Sequence, residues 1–256
     1  MWKVYFDLAS PSPISLDFVI NDISVRVIES SAQITVANIQ AVNQNAAYTK
    51  ALYAATCCVN YLCWKYDAIL SINSGRLNIE EIAPEGKIIR HTGYGSMGMR
   101  GPLMVAGRPQ SLTSVSGKKS DAAFYYRKGC LSTDSFDQFR NFSFAVENVS
   151  SQIYRKQPGE PEKIELERAL EVCFGNKLQS LEEIAKTEPT FNPKETTISE
   201  VTRILYKANL CQLNYFKTYK DKNVSFDPQD KMEVMNATLL LKFVAKALLA
   251  YEESSL

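Results

Sequence analysis

The stretch LYKANLCQLNYFKTYKD, residues 205–221, carries basic and amide side chains of the kind that bind phosphate. Between Arg203 and Lys222 there are five basic residues and one acid, Asp221. Lysines near the carboxyl end of a helix are favoured by the helix dipole, so a solvated helix end is one interpretation. A surface that neutralises RNA phosphates is the other. The candidate phosphate contacts are Lys207, Lys217, Lys220 and Lys222.

An earlier segment, FDQFRNFSFAVENV, offers a second set of polar side chains. Arg140 and Glu147 lie two helical turns apart within it, so they share one helix face. This pair is either an exposed polar edge beside a stripe of phenylalanines or part of the same cleft as the basic stretch. The residues alone leave both interpretations open.

The chain's one histidine, His91, precedes a glycine-rich stretch, TGYGSMGMRGPL. Gly93, Gly95 and Gly98 match the pattern GxGxxG, but Gly101-Pro102 blocks the helix that a dinucleotide site needs next. A lone loop histidine is more often a surface or turn residue than a general base. With one histidine and no CxxC pair, we expect no zinc site, and we predict no cofactor.

Composition and charge limit the class of protein. Apolar residues make up 45% of the 256 residues, enough for a substantial core, and 29 basic residues balance 28 acidic ones. Asp7 interrupts the amino terminus before a signal-length apolar run, and Lys242 and Lys246 break the longest apolar stretch, 236–251. Most cysteines have apolar neighbours, as in ATCCVNYLCW, which suits buried thiols in a reducing compartment. We therefore predict a soluble cytoplasmic protein without a membrane partner.

The first half has the patterns of a small β-rich part. Apolar and polar residues alternate in WKVYFDL, ISLDFVI and ISVRVIES, which predicts two or three short antiparallel strands before about residue 32. Residues 35–70 then show three- and four-residue apolar spacing without Gly or Pro, which predicts a long helix linking two halves. Residues 73–118 hold eight of the eleven glycines and are expected to form loops with short strands.

The second half has helical patterns throughout. Apolar stripes and capping residues predict helices over 132–155 and 159–175, from Thr197 to about Tyr219, and over 227–251. Helices that pack on one another form a bundle. The predicted fold class is therefore α+β, with a β-rich domain at 1–120 and a helical bundle domain at 121–256.

A family resemblance extends over residues 125–252. The helix FDQFRNFSFAVENV, followed late in the chain by a polar motif and then by DPQDKMEVMNATLLLKFVAKALL, resembles HEPN-fold proteins, especially MauJ-type and prokaryotic defence members. Active HEPN ribonucleases carry an arginine, often then an asparagine, and a histidine a few positions on. The matching positions here are Ala208, Asn209 and Asn214.

The resemblance implies a HEPN-type RNA-targeting protein, a metal-independent endoribonuclease effector of a toxin or antiphage defence system. In that reaction the ribose 2′-hydroxyl attacks its own phosphate, which needs a proton-transfer group and a cation. Ala208 cannot donate a hydrogen bond from its side chain and Asn214 cannot titrate, so the motif is incomplete. Tyr215 or Glu147 could handle protons if Ala208→Arg restored the cation.

Two other functions stay open. One is a catalytically inactive HEPN protein that binds RNA or a nucleotide. The other is a dimerising interaction subunit whose amino-terminal half recognises a protein. By the same resemblance, the expected partners are RNA, single-stranded or tRNA, and a second copy of the chain.

Overall fold

The computed structural model describes residues 1–94, 113–117, 120–175, 197–208 and 228–254. The chain forms two compact units, Met1–Ser120 and Asp121–Leu256. Within the described ranges, the first unit contains a sheet and one helix, and the second contains helices alone. The protein therefore belongs to the α+β class, as its two kinds of apolar periodicity predict.

A sheet organises the first unit. Its strands are β1 Trp2–Leu8, β2 Leu16–Ile20, β3 Ile23–Val27, β4 Gln33–Ile39, β5 Ile72–Ile82, β6 Ile88–Tyr94 and β7 Thr113–Ser116. Across the sheet the order is β6-β5-β1-β4-β3-β2-β7. Neighbouring strands are antiparallel except β2 and β7, which are parallel.

Alternation of buried and partly exposed side chains explains the first strands. Along β1, Trp2, Val4, Phe6 and Leu8 are buried while the residues between them are partly exposed. The β2–β3 hairpin closes at residues 21 and 22, an Asn-Asp pair with positive φ angles of 49° and 64°. Such left-handed turns match the twist of a two-residue hairpin. The predicted antiparallel strands at the amino terminus are confirmed.

The predicted linking helix over 35–70 is wrong in extent and in role. Residues 33–39, QITVANI, form β4, and the helix α1 runs from Gln44 to Tyr66. The side chain of Asn43 accepts a hydrogen bond from the backbone N–H of Ala46, which fixes the helix start, and Asp67 ends the helix in the left-handed conformation. α1 packs on β1, β3, β4 and β5. It therefore belongs to the core of the first unit.

Residues 73–118, expected to form loops with short strands, contain a longer strand than predicted. β5 is an 11-residue strand that pairs with both β1 and β6, within a region expected to be mainly loops. In β5 the apolar–polar alternation covers only residues 77–80, and NSGR at 73–76 contains no apolar residue, so the sequence carried little strand signal. Pairing with the well-patterned β1 supplies the hydrogen bonds that keep β5 extended.

The second unit is built from helices within the described residues. They are α2 Asp121–Leu131, α3 Ser135–Ile153, α4 Glu162–Phe174, α5 at 198–208 and α6 Pro228–Ser254. The side chain of Asp134 caps α3, the hydroxyl of Thr197 accepts from the N–H of Glu200 at the start of α5, and Gly175 ends α4 with φ 56°. α3 packs against α2, α4 and α6, so it is the central helix of this unit.

Close packing of α2 on α3 depends on one glycine. A Cβ atom built on Gly129 would lie 2.6 Å from Cε1 of Phe142, well inside van der Waals contact. Gly129 is buried, and Phe142 is only 3% exposed. The two helices can therefore approach to this distance only with glycine at position 129.

The last helix carries the most apolar stretch of the described chain. Val234–Ser254 in α6 is long and apolar enough to cross a membrane by length and composition, and half of that window is buried inside the protein. Its buried residues include Val244, Ala245, Leu248 and Leu249. Partial burial of this kind is the pattern of a core helix in a soluble bundle.

Candidate functional site

A groove opens in the helical unit where α3, α4, α5 and α6 meet. Its volume is about 120 Å³. Aliphatic side chains supply the apolar wall, namely Val146, Leu166, Leu205 and Leu241. Polar side chains complete it, namely Ser143, Glu147, Ser150, Lys163, Glu165, Thr202 and Tyr206. The groove thus has the usual composition of a small ligand site, an apolar wall with a few polar groups.

Ser150 contributes a buried hydroxyl group to this groove. It is only 1% exposed, and its hydroxyl has no hydrogen-bond partner among the described residues. An unsatisfied buried hydroxyl costs roughly 1–3 kcal/mol. The neighbouring hydroxyl of Thr202, by contrast, donates to the backbone oxygen of Ile198 at 2.9 Å. Ser150 therefore places a hydroxyl without a described partner in the buried wall of the groove.

An aromatic cluster lies on α2 and α3. It consists of Phe124, Tyr125 and Phe144, with ring centroids 5.3 Å apart between the first two and 5.2 Å apart between the last two. Phe124 is 40% exposed and Phe144 is 39% exposed. Exposed aromatic rings that contact one another are a feature of many binding surfaces. On α3, helical spacing places Phe144 away from the buried stripe that contains Phe139 and Phe142.

The aromatic cluster and the groove are neighbours on α3. Phe144 follows Ser143, which lines the groove, and lies one helical turn before Glu147, which also lines it. On α2, the exposed Lys128 lies one turn after Phe124. The outer side of α3 therefore leads from exposed rings to the polar edge of the groove.

Arg140 and Glu147 lie seven residues apart on α3 and so share a helix face, but only Glu147 lines the groove. Glu147 lines the groove together with Thr202 and Tyr206 of α5, the helix that carries the start of the basic stretch. Arg140 does not line it, and its guanidinium lies 2.7 Å from a carboxylate oxygen of Asp137. That ion pair is partly exposed, so it contributes little to stability, but it offsets the charge of Arg140.

Of the motif helix, the structure describes the part up to Ala208. Ala208 is buried, with 1% of its surface exposed, whereas Lys207 is exposed. A side chain at position 208 therefore points into the packed bundle. Asn209, Asn214, Tyr215, Lys217, Lys220 and Lys222 lie outside the described residues.

His91 belongs to the sheet. It lies on β6 opposite Ile79, its ring centroid is 5.7 Å from that of Trp2, and its Nε2 is 3.5 Å from Oε2 of Glu81. Gly93 lies on the same strand, while Gly95 and Gly98 lie outside the described residues. Among the residues that the structure describes, no group of His, Cys, Asp and Glu could hold a metal ion.

The thiols of two described cysteines are poor nucleophiles. Burial is the main cause that raises the pKa of Cys58, and burial raises the pKa of Cys173 to about 12. At neutral pH such thiols stay protonated, and the thiol form does not attack electrophiles. Neither residue is a candidate for covalent catalysis.

Comparison with known proteins returns no relative for this chain. No protein-family model, no curated protein and no solved structure matches it. A function is therefore inferred from three features, namely the groove, the aromatic cluster and helix α5.

Proposed function

We propose that the helical unit is a HEPN-like RNA-binding unit that holds single-stranded RNA without cleaving it. The observation that carries the proposal is the exposed aromatic cluster, which lies beside a groove formed in part by the motif helix α5. The resemblance of residues 125–252 to HEPN proteins agrees with this placement. In the same proposal, the chain is a non-cleaving member of a cytoplasmic toxin or defence system.

Binding is favoured over cleavage because of position 208. Metal-independent cleavage needs a cation at the phosphate and a group that transfers protons. Ala208 is buried in the bundle, and asparagine at position 214 cannot titrate. Removing a proton-transfer group lowers a rate by about 10²- to 10⁴-fold. We therefore expect the chain to bind RNA and to leave it intact.

Stacking and charge would act together in this proposal. Bases of a single strand stack on exposed aromatic rings whatever their sequence, and the phosphates between them need nearby cations. Lys128 lies next to the aromatic cluster. Further positive charge along the motif comes from Lys207, Lys217, Lys220 and Lys222. Binding should weaken as salt rises, because each neutralised phosphate releases a counterion.

Fluorescence anisotropy with a labelled, unstructured RNA strand tests the proposal. We expect saturable binding that weakens between low and physiological salt, with no shortening of the RNA on a denaturing gel. Phe124→Ala combined with Phe144→Ala should weaken binding by about 5-fold to 100-fold, because stacking contributes about 1–3 kcal/mol per base.

A matched control comes from the first unit. Tyr66 is 41% exposed, so Tyr66→Ala removes a similarly exposed ring and should leave RNA affinity unchanged. Equal loss in both variants, or unchanged affinity in the double phenylalanine variant, would overturn the role of the aromatic cluster. RNA shortening by the unaltered chain would show that it is an active nuclease.

A further inference from the structure

The size of the groove limits what can enter it. Its volume of about 120 Å³ is close to the roughly 150 Å³ at which an apolar cavity takes up benzene. One ring therefore fills it, and a fused purine would have to project beyond it. The aliphatic side chains of Val146, Leu166 and Leu205 provide contacts for the face of such a ring.

The polar groups around the groove determine which hydrogen-bonding groups the edge of that ring must carry. Glu147 and Glu165 carry carboxylates, which only accept hydrogen bonds when ionised, so the ring must donate N–H groups toward them. Lys163 carries only donors, and the buried hydroxyl of Ser150 can donate as well. The ring must therefore also present acceptors. A ring with both donors and acceptors suits this lining better than a simple ammonium group, which has no acceptor for Lys163 or Ser150.

Cytosine combines these properties. It is a neutral single ring with an exocyclic amino group, the partner that glutamate and aspartate accept from, and it has ring acceptors for a lysine or a hydroxyl. Uracil has the same size but carries a carbonyl where cytosine carries the amino group. We propose that the groove binds a cytosine base, which enters from a free nucleoside or from an RNA strand held on the aromatic cluster. Only the second source rests on the proposed RNA binding.

Calorimetric titration of the full chain with nucleosides tests the ring and its edge. Cytidine should bind saturably, while uridine should bind about tenfold or more weakly, because its carbonyl cannot donate to a carboxylate. Guanosine measures the size limit and should bind more weakly than cytidine. Equal affinities for cytidine and uridine would overturn the assignment, as would no heat with either.

Two kinds of variant locate the binding. Ser150→Ala removes a hydroxyl without a described partner, so the fold should persist while cytidine affinity falls about tenfold. Glu147→Gln and Glu165→Gln, made separately, convert an acceptor into a group that can also donate. At least one of them should weaken cytidine binding and narrow the difference from uridine. Glu167→Gln, on α4 but outside the groove lining, is the matched control and should change nothing.

Titrations with RNA strands show whether the bound base comes from RNA or from a free nucleoside. If oligocytidylate binds more tightly than oligouridylate and Ser150→Ala removes the difference, the base comes from RNA. If cytidine binds but no RNA does, the groove assignment holds for free nucleosides and the proposed RNA function fails. If RNA binds without base preference and cytidine does not bind, the RNA function holds and the cytosine site is wrong. Unchanged cytidine affinity in the Ser150 variant and in both glutamate variants would also overturn the site.

Discussion

At the scale of single residues, the sequence indicates the chemistry of a side chain, and only the structure indicates its burial. The proposed HEPN resemblance assigns Ala208 to the arginine position of the motif, whereas its burial follows from how α5 packs in the bundle. The sequence likewise does not distinguish Ser150 from the other serines, and its place in the groove follows from the packing of α3 with three other helices. Of the residues that line the groove, the sequence singled out Glu147 alone, because which side chains share a groove depends on contacts between distant segments.

The substitution Ala208→Arg should destabilise the protein before it restores any chemistry. A long cationic side chain at a position 1% exposed must either enter the core or displace the helix. We expect the free energy of unfolding to fall by at least about 2 kcal/mol, measured by chemical denaturation. Lys207→Arg, on the exposed neighbour, should leave stability within about 0.5 kcal/mol. Equal stability of both variants would contradict the burial of position 208.

Gly129→Ala should also destabilise the helical unit, in this case by overpacking. The added Cβ would lie 2.6 Å from the ring of Phe142, so the helices must separate or the ring must move, at about 1–3 kcal/mol. Urea denaturation measures the change. The same substitution in a Phe142→Leu background should cost less, because the smaller side chain leaves room for the methyl group. An equal cost in both backgrounds would show that the ring is not the obstacle.

At the scale of elements, local signals located helix ends well and distinguished poorly between a strand and a helix start. Gly175 and Thr197 end and begin helices where their chemistry predicts. The segment VANIQAVNQNAAY has a helical spacing that runs through its strand half, and only the cap at Asn43 separates the two. The polar β5 was missed because its extended form depends on pairing with β1.

The cap of α3 gives a prediction at this scale. The carboxylate of Asp134 accepts from the backbone N–H groups of Phe136 at 2.9 Å and Asp137 at 3.0 Å. Asp134→Ala should lower the free energy of unfolding by about 1 kcal/mol, because those donors lose their partner. Asp134→Asn keeps an acceptor and should retain most of the stability. Thermal and urea denaturation compare the three proteins, and equal losses would show that charge, not capping, matters at this position.

At the scale of the whole molecule, the sequence predicted a β-rich first part and a helical second part but not the order of the strands. β7 completes the edge of the sheet beside β2, although the two strands lie far apart in the chain. No local pattern records such a pairing. The backbone N–H of Gly117 also donates to the oxygen of Val19 at 2.6 Å, which extends the contact beyond β7.

A fragment comparison tests whether the first unit needs that strand. The fragment 1–120 contains the whole first unit and should fold alone with a cooperative thermal transition, because it has its own buried core. The fragment 1–110 lacks β7 and should melt at a lower temperature, since the backbone groups of β2 lose their partners on one side. Circular dichroism measures both. Identical melting curves would show that β7 contributes little to the unit.

The parallel pairing of β2 with β7 also affects how the chain is made. During synthesis, β2 and β3 can form their hairpin as soon as they leave the ribosome, but the outer edge of β2 stays open until Thr113–Ser116 emerges. An open strand edge is a template for pairing with other chains. Closing a contact between such distant segments is also slow, because the intervening chain must be ordered first. The nascent chain is therefore most exposed to misassembly between the synthesis of its third strand and of its seventh, the interval in which a chaperone would help it most.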